Sequence, residues 1–123
     1  MLLRDQILNR KVGRFETVAV PEWGGDVMIK ALCVRDRSVI ETEFSRLGRL
    51  IRSDQAETVA ALFTLQLTMV ALSVVDSDGV AQFTLDDVVA LSEQEPDAIR
   101  TIADAASALN GFGASSSEDA AKN

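Results

Sequence analysis

The feature that most constrains this chain is an eighteen-residue stretch without a charged side chain, between Glu57 and Asp76. Eighteen residues is close to the minimum length of a membrane-spanning helix. The threonine, glutamine and serine residues within the stretch argue further against a membrane span. Alternation of apolar and polar residues over 63–69 also fits a strand. Overall length and an apolar stripe at helical spacing instead favour a buried central helix over residues 55–75. The stripe comprises Val59, Leu62, Phe63, Leu67, Val70 and Val74.

A β-hairpin is predicted before this helix, over residues 14–34. Residues 15–20 alternate and include β-branched side chains, and a second run of this kind, over 27–34, follows the turn. Pro21 ends the first strand because it cannot donate to a ladder, and two glycines after Trp23 supply the turn. Two strands alone are marginally stable in water, so the hairpin must lie against helices or pair with another chain.

Apolar spacing and helix-end signals predict four further helices. A short one over residues 2–10 places Leu3 and Ile7 on one face. The other three are predicted over residues 38–51, 84–94 and 96–110. The first of these carries a stripe formed by Ile40, Phe44, Leu47 and Ile51.

Local signals mark where the last two helices begin and end. Thr84 is a typical N-cap residue and is followed by acids that favour the helix dipole. Pro96 suits a first helical position, and Asn110 with Gly111 forms a typical stop. The predicted fold is therefore mainly α with a small N-terminal β-hairpin (α+β), its helices packed around the long apolar helix. Residues 1–112 are expected to form a single globular domain, and residues 113–123 a polar tail.

The side chains needed for catalysis are scarce in this sequence. The chain has no histidine, and its single cysteine, Cys33, lies in an apolar run that predicts a buried, inert thiol in a reducing cytoplasm. Asp76 and Asp78 resemble the middle of an EF-hand loop, but the ligand positions at its ends would be Val74 and Leu85. The sequence therefore predicts a turn there, no catalytic residues, no metal and no cofactor.

Charge is divided unevenly along the chain. Residues 1–52 hold ten basic and seven acidic residues, whereas residues 53–123 hold two basic and twelve acidic ones. This division suits self-association or a charged protein partner. The basic residues are interleaved with acids, so no stripe suited to nucleic acid is present. The N-terminus has no long apolar segment of the kind found in signal peptides.

The order of these elements and their connecting motifs resembles a known family. The motifs are the turn at 20–25, the helix end at 74–79, the helix start at 83–88 and the final stop at 109–112. Over roughly residues 5–123 the chain resembles the tail assembly chaperones of phages with long non-contractile tails.

The resemblance implies a non-catalytic role in the host cytoplasm during infection or prophage induction, and absence from the mature virion. Such chaperones bind and solubilise the long helical tape-measure protein and promote assembly of the tail-tube protein around it. The apolar load of residues 59–75 adds the expectation of a homo-oligomer, and neither nucleic acid nor a membrane is an expected partner. The alternative is a structural virion component of connector or tail-terminator type, against which the absence of a large β-sandwich pattern weighs.

Five residues are candidates for partner binding: Trp23, Ile40, Phe44, Leu47 and Leu67. Trp23 allows two interpretations, an exposed anchor for a partner or a lid over the core helices. The lid is favoured because a chain with six aromatic residues needs them for packing.

Overall fold

The computed structural model describes residues 1–10, 13–51 and 55–112 of the 123-residue chain. These residues form five α-helices and three β-strands. In chain order the elements are α1 (Arg4–Leu8), β1 (Phe15–Val20), β2 (Gly25–Lys30), α2 (Val34–Leu50), α3 (Gln55–Ser73), β3 (Val74–Val75), α4 (Val88–Leu91) and α5 (Pro96–Asn110). The predicted α+β class is confirmed, and the predicted tail over 113–123 lies outside the described residues.

The three strands form one antiparallel sheet in the order β1-β2-β3. Strands β1 and β2 are the hairpin, joined by a 3-10 turn that ends at Gly24, whose φ of 71° lies in the left-handed region. Strand β3 corrects the prediction that the central helix continues to residue 75. Val74 and Val75 leave the helix and pair with Ile29 and Met28 of β2, as suits β-branched side chains.

Other boundaries also differ from those predicted. Strand β2 covers Gly25–Lys30 instead of residues 27–34, and helix α1 covers Arg4–Leu8 instead of residues 2–10. Helix α2 begins at Val34, four residues before the predicted start. Its first turn adds no residue to the apolar stripe from which the helix was predicted, so the stripe did not indicate this start. The helix predicted over 84–94 consists of a 3-10 turn followed by the short α4, which ends at Leu91. The backbone is extended at Glu95, directly before Pro96, as expected for the residue preceding a proline.

The residues predicted to begin and end the last two helices form hydrogen bonds at those helix ends. The Thr84 hydroxyl oxygen accepts a hydrogen bond from the Asp86 amide, and the Asp87 carboxylate accepts one from the Thr84 amide at 2.8 Å. Helix α5 ends in a Schellman motif, with Gly111 at φ 73°. The Phe112 amide then donates to the Ser107 carbonyl at 2.9 Å, and this turn carries the Phe112 side chain into the core.

The core lies between one face of the sheet and helices α2, α3 and α5. Helix α3 is central to it and is buried on nearly all sides over residues 65–73. Within the described ranges it is the one helix long and apolar enough to cross a membrane, a property shared by core helices of soluble proteins. The largest fully buried side chains are Val20, Ile29, Ile40, Met69, Val70 and Ile102.

Candidate functional site

An open apolar groove of about 340 Å³ lies between α2, α3 and α5. We call it the helical groove. Its polar lining residues are Gln66, Asp104 and Ser107. Its apolar lining residues are Phe44, Leu62, Leu65, Met69, Ala103, Ala108 and Phe112.

Two aromatic rings from different helices meet in the helical groove. The ring centroids of Phe44 and Phe112 are 5.6 Å apart and their planes are tilted by 39°. The Arg37 guanidinium carbon lies 4.3 Å from the centre of the Phe112 ring, a cation–π distance. The same guanidinium donates a hydrogen bond to the Asn110 carbonyl at 2.9 Å. The end of α5 is therefore held against α2, which fixes the position of both rings.

Asn110 joins the end of α5 to the segment between β2 and α2. Its side-chain oxygen accepts a hydrogen bond from the Leu32 amide at 2.7 Å, and its side-chain nitrogen donates to the Ala106 carbonyl at 2.8 Å. Both bonds are partly buried, so they give more rigidity than bonds in open water. The end of α5, beside the groove, is therefore tied to the segment before α2 by a specific polar contact as well as by apolar packing.

The apolar surface continues from the helical groove onto the first half of α3. Val59, Leu62 and Phe63 are 50%, 41% and 45% exposed, and Ile51 at the end of α2 is also exposed. We call the three residues on α3, Val59, Leu62 and Phe63, the α3 patch. Single exposed apolar residues are common on proteins, but several on one helix beside an apolar groove indicate an interaction surface.

A second apolar surface surrounds Trp23. It consists of two adjacent depressions that share Trp23 and Phe83, one of about 560 Å³ over the sheet and one of about 340 Å³ towards α4. We call the pair the Trp23 cleft. The charged residues that line it are all acids: Asp26, Asp76 and Asp87.

Trp23 is half-buried and packs against the core, as the lid interpretation expects. It reaches this position from the 3-10 turn between β1 and β2, where Pro21 and Gly24 shape the backbone. The indole N–H is buried and has no hydrogen-bond acceptor among the described residues. Because Trp23 is also part of the wall of an open cleft, part of its ring remains available to a second chain.

The other predicted partner-binding residues divide by depth. Phe44 and Leu47 are half-buried and pack against the core, and Phe44 lines the helical groove. Ile40 is fully buried and Leu67 is 9% exposed, so both support the surface from within the core. The spacing from which they were predicted identifies the side of a helix that faces inward. It does not tell how deeply each residue on that side is buried.

Sequence reasoning did not identify Leu62, Phe63 and Phe112 as surface or groove residues. A signal for the first two is present in the sequence, because α3 carries apolar residues on more sides than one buried face requires. No such signal marks Phe112, since it lies beyond the helix end and depends on the Schellman turn to reach the groove.

The acidic side chains noted in the sequence have structural roles. The Asp76 carboxylate accepts hydrogen bonds from the Asp78 and Val80 amides at 2.8 and 2.9 Å, which stabilises the predicted turn. No group of three or more potential ligand side chains in the described residues is arranged to hold a metal ion. Cys33 is half-buried just before α2, whereas the sequence predicts a buried thiol.

The arrangement of helices and strands matches a solved structure, that of the bacteriophage HK97 tail assembly chaperone. The two chains superpose with a TM-score of 0.59 and 20% sequence identity, over 86% of this chain and 96% of that one. Neither a family model nor a curated protein matches the sequence. The described part of this chain therefore has a fold similar to that of the HK97 tail assembly chaperone.

Proposed function

We propose that this chain is a non-catalytic phage tail assembly chaperone that binds the tape-measure protein, keeps it soluble and promotes tail-tube assembly around it. The observation that carries the proposal is the helical groove with the α3 patch beside it. This apolar surface is left open on a well-packed core, in a fold similar to that of the HK97 tail assembly chaperone.

The shape of the helical groove suits an amphipathic helix as its occupant. Such a helix presents apolar side chains at intervals of three and four residues, and these fit a groove lined by apolar side chains. The groove is bordered by Leu62 of α3 on one side and Phe44 of α2 on another, and both leave surface accessible. A tape-measure segment bound in this way would cover the apolar stripe that otherwise drives its aggregation.

Weak contacts are an advantage for this role, because the tail-tube protein must later displace the chaperone. A long client offers many similar segments, so several chaperone copies can cover it even when each contact is weak. The second half of the chain, residues 53–123, carries ten more acids than bases. This excess charge keeps a coated client soluble and prevents coated segments from associating with each other.

The proposal is tested by co-expressing the chain with its tape-measure protein and measuring the soluble fraction of the latter. Leu62→Ser combined with Phe63→Ser removes apolar surface from side chains that are already exposed. This variant should fold normally but lose most of the solubilising effect. Val89→Ser is the matched control, because Val89 is 74% exposed on α4, outside the groove and the patch, and it should retain the effect.

Two outcomes contradict the proposal. If the wild-type chain leaves the tape-measure protein insoluble and no complex elutes, the chaperone function is wrong. If the chain is present in purified virions at a fixed copy number, the alternative of a structural component replaces it. The expected result is absence from virions and presence in the host cytoplasm during infection or prophage induction.

A further inference from the structure

Helix α1 presents an apolar surface that is not buried in its own chain. None of its residues is buried. Ile7 and Leu8 within the helix, and Leu2 and Leu3 directly before it, are each more than half exposed. A helix of five residues is not stable alone in water, because nucleation costs more free energy than so few hydrogen bonds return. The Gln6 side chain caps the first turn at the Leu3 amide, but one cap does not offset that cost. Helix α1 therefore needs a surface to pack on.

The chemistry of α1 indicates which surface that is. Arg4 and Arg10 lie beside its apolar residues. Asp5, the one acid in residues 1–10, pairs with Arg4 at 3.2 Å, so the segment keeps a net positive charge. The Trp23 cleft is lined by three acids and no basic residue. The helical groove is less suitable, because it is lined by one acid and the Arg37 guanidinium already lies over its Phe112 ring. Charge complementarity therefore favours the Trp23 cleft for α1.

We propose that α1 of one copy of this chain docks in the Trp23 cleft of a second copy. Leu3 and Ile7 lie four residues apart on one face, so their side chains are about 6 Å apart. Two such side chains could each enter one of the two adjacent depressions, which share Trp23 and Phe83. The arginines of α1 then lie near Asp26, Asp76 and Asp87 at the margin of the cleft. This contact uses a different surface from the one proposed for the tape-measure protein.

The contact joins unlike surfaces, so its symmetry determines the assembly. Reciprocal exchange of α1 between two copies gives a closed two-fold dimer, whereas a one-way contact extends into a ring or a filament. Both assemblies grow with protein concentration. Docking of α1 in the cleft of its own chain would not depend on concentration, and this distinguishes the two cases.

Sedimentation velocity of the full chain over a range of concentrations tests the proposal. The wild-type chain should associate, and Leu3→Ser with Ile7→Ser should raise the dissociation constant on the order of a hundredfold, since burial of each side chain contributes at least about tenfold. Val34→Ser is the matched control, because Val34 is 88% exposed at the start of α2 and lines neither depression of the Trp23 cleft, and it should associate like wild type. Asp26→Lys alters the exposed margin of the cleft and should also weaken association.

A mixing experiment identifies the two surfaces as partners. The Leu3→Ser/Ile7→Ser chain keeps an intact cleft, and the Asp26→Lys chain keeps an intact α1, so an equimolar mixture should form a complex that neither forms alone. A wild-type chain that stays monomeric at all concentrations would overturn the proposal. Unchanged association of the α1 variant, or no complex in the mixture, would overturn it as well. None of these results depends on whether the chain solubilises a tape-measure protein.

Discussion

The two halves of helix α3 have similar apolar sequences but different surroundings. Over residues 65–73 nearly every side chain is buried, and polar Thr68 and Ser73 are buried with the rest. Over residues 55–64 Ala61 is the one buried residue, although Val59, Leu62 and Phe63 are as apolar as the core residues that follow them. One half of the helix therefore forms the core, and the other half exposes side chains of the same kind.

This difference follows from which elements lie beside each half of α3. The strand β3 begins directly at the end of the helix, so the last residues of α3 are joined to the sheet, and the helix as a whole packs against α2 and α5. The first half is at the opposite end of the helix from the strand, and three of its apolar side chains are left with large exposed areas. An apolar helix surface without cover in one chain is suited to cover by another.

The largest expected effect is that of a charge placed in the buried half. Val70→Asp introduces a carboxylate at a fully buried position without a partner, and should cost more than about 4 kcal/mol of unfolding free energy. Val59→Asp makes the same change at a half-exposed position and should cost about 0.5 kcal/mol or less. Urea denaturation followed by circular dichroism measures both. Equal losses would mean that the first half of α3 belongs to the core.

Truncating a side chain to alanine should distinguish the two halves of α3 less strongly than introducing a charge. Met69→Ala removes a side chain that is 1% exposed and should cost about 2–5 kcal/mol. Leu62→Ala removes a side chain that is 41% exposed, and since water already reaches it, the cost should be below about 1 kcal/mol. Thermal unfolding of the two variants gives the comparison. A Leu62→Ala cost as large as that of Met69→Ala would contradict the exposure of the groove.

The smallest expected effect is a gain in stability. The Ser73 hydroxyl is fully buried and has no hydrogen-bond partner among the described residues, so Ser73→Ala should stabilise the protein by up to about 1 kcal/mol. Thr68→Ala is the contrast within the same half. The Thr68 hydroxyl donates to the Thr64 carbonyl at 2.7 Å, and its loss should destabilise by about 1 kcal/mol. Destabilisation by Ser73→Ala in the same denaturation assay would show that its hydroxyl is paired.

Elements whose signals are local could be predicted from the sequence. Thr84, Pro96 and Gly111 act at the helix ends where their backbone chemistry places them, and the α5 boundaries follow from the last two. Strand β3 could not be predicted in this way, because Val74 and Val75 continue an apolar run and become a strand only by pairing with β2. Secondary structure that depends on a distant partner leaves little trace in a short segment.

The candidate site was less predictable than the fold. Ile40 and Phe44 belong to one stripe in the sequence, yet Ile40 is fully buried and Phe44 lines a groove. Phe112 joins the groove because a Schellman turn and the Arg37 contact bring it there from beyond the end of α5. Periodicity indicates a direction around a helix axis, whereas exposure depends on how far the neighbouring elements extend.

The sequence by itself determined the class of fold, the hairpin and its turn, the ends of the last helix and the scarcity of catalytic side chains. These depend on backbone preferences and residue chemistry that act over a few positions. Only the tertiary structure decided that α3 is buried in one half and exposed in the other, and that Trp23 lies over the core beside an acidic cleft. Burial is a property of the whole packed arrangement, because a side chain is covered or exposed according to elements that are distant in the sequence.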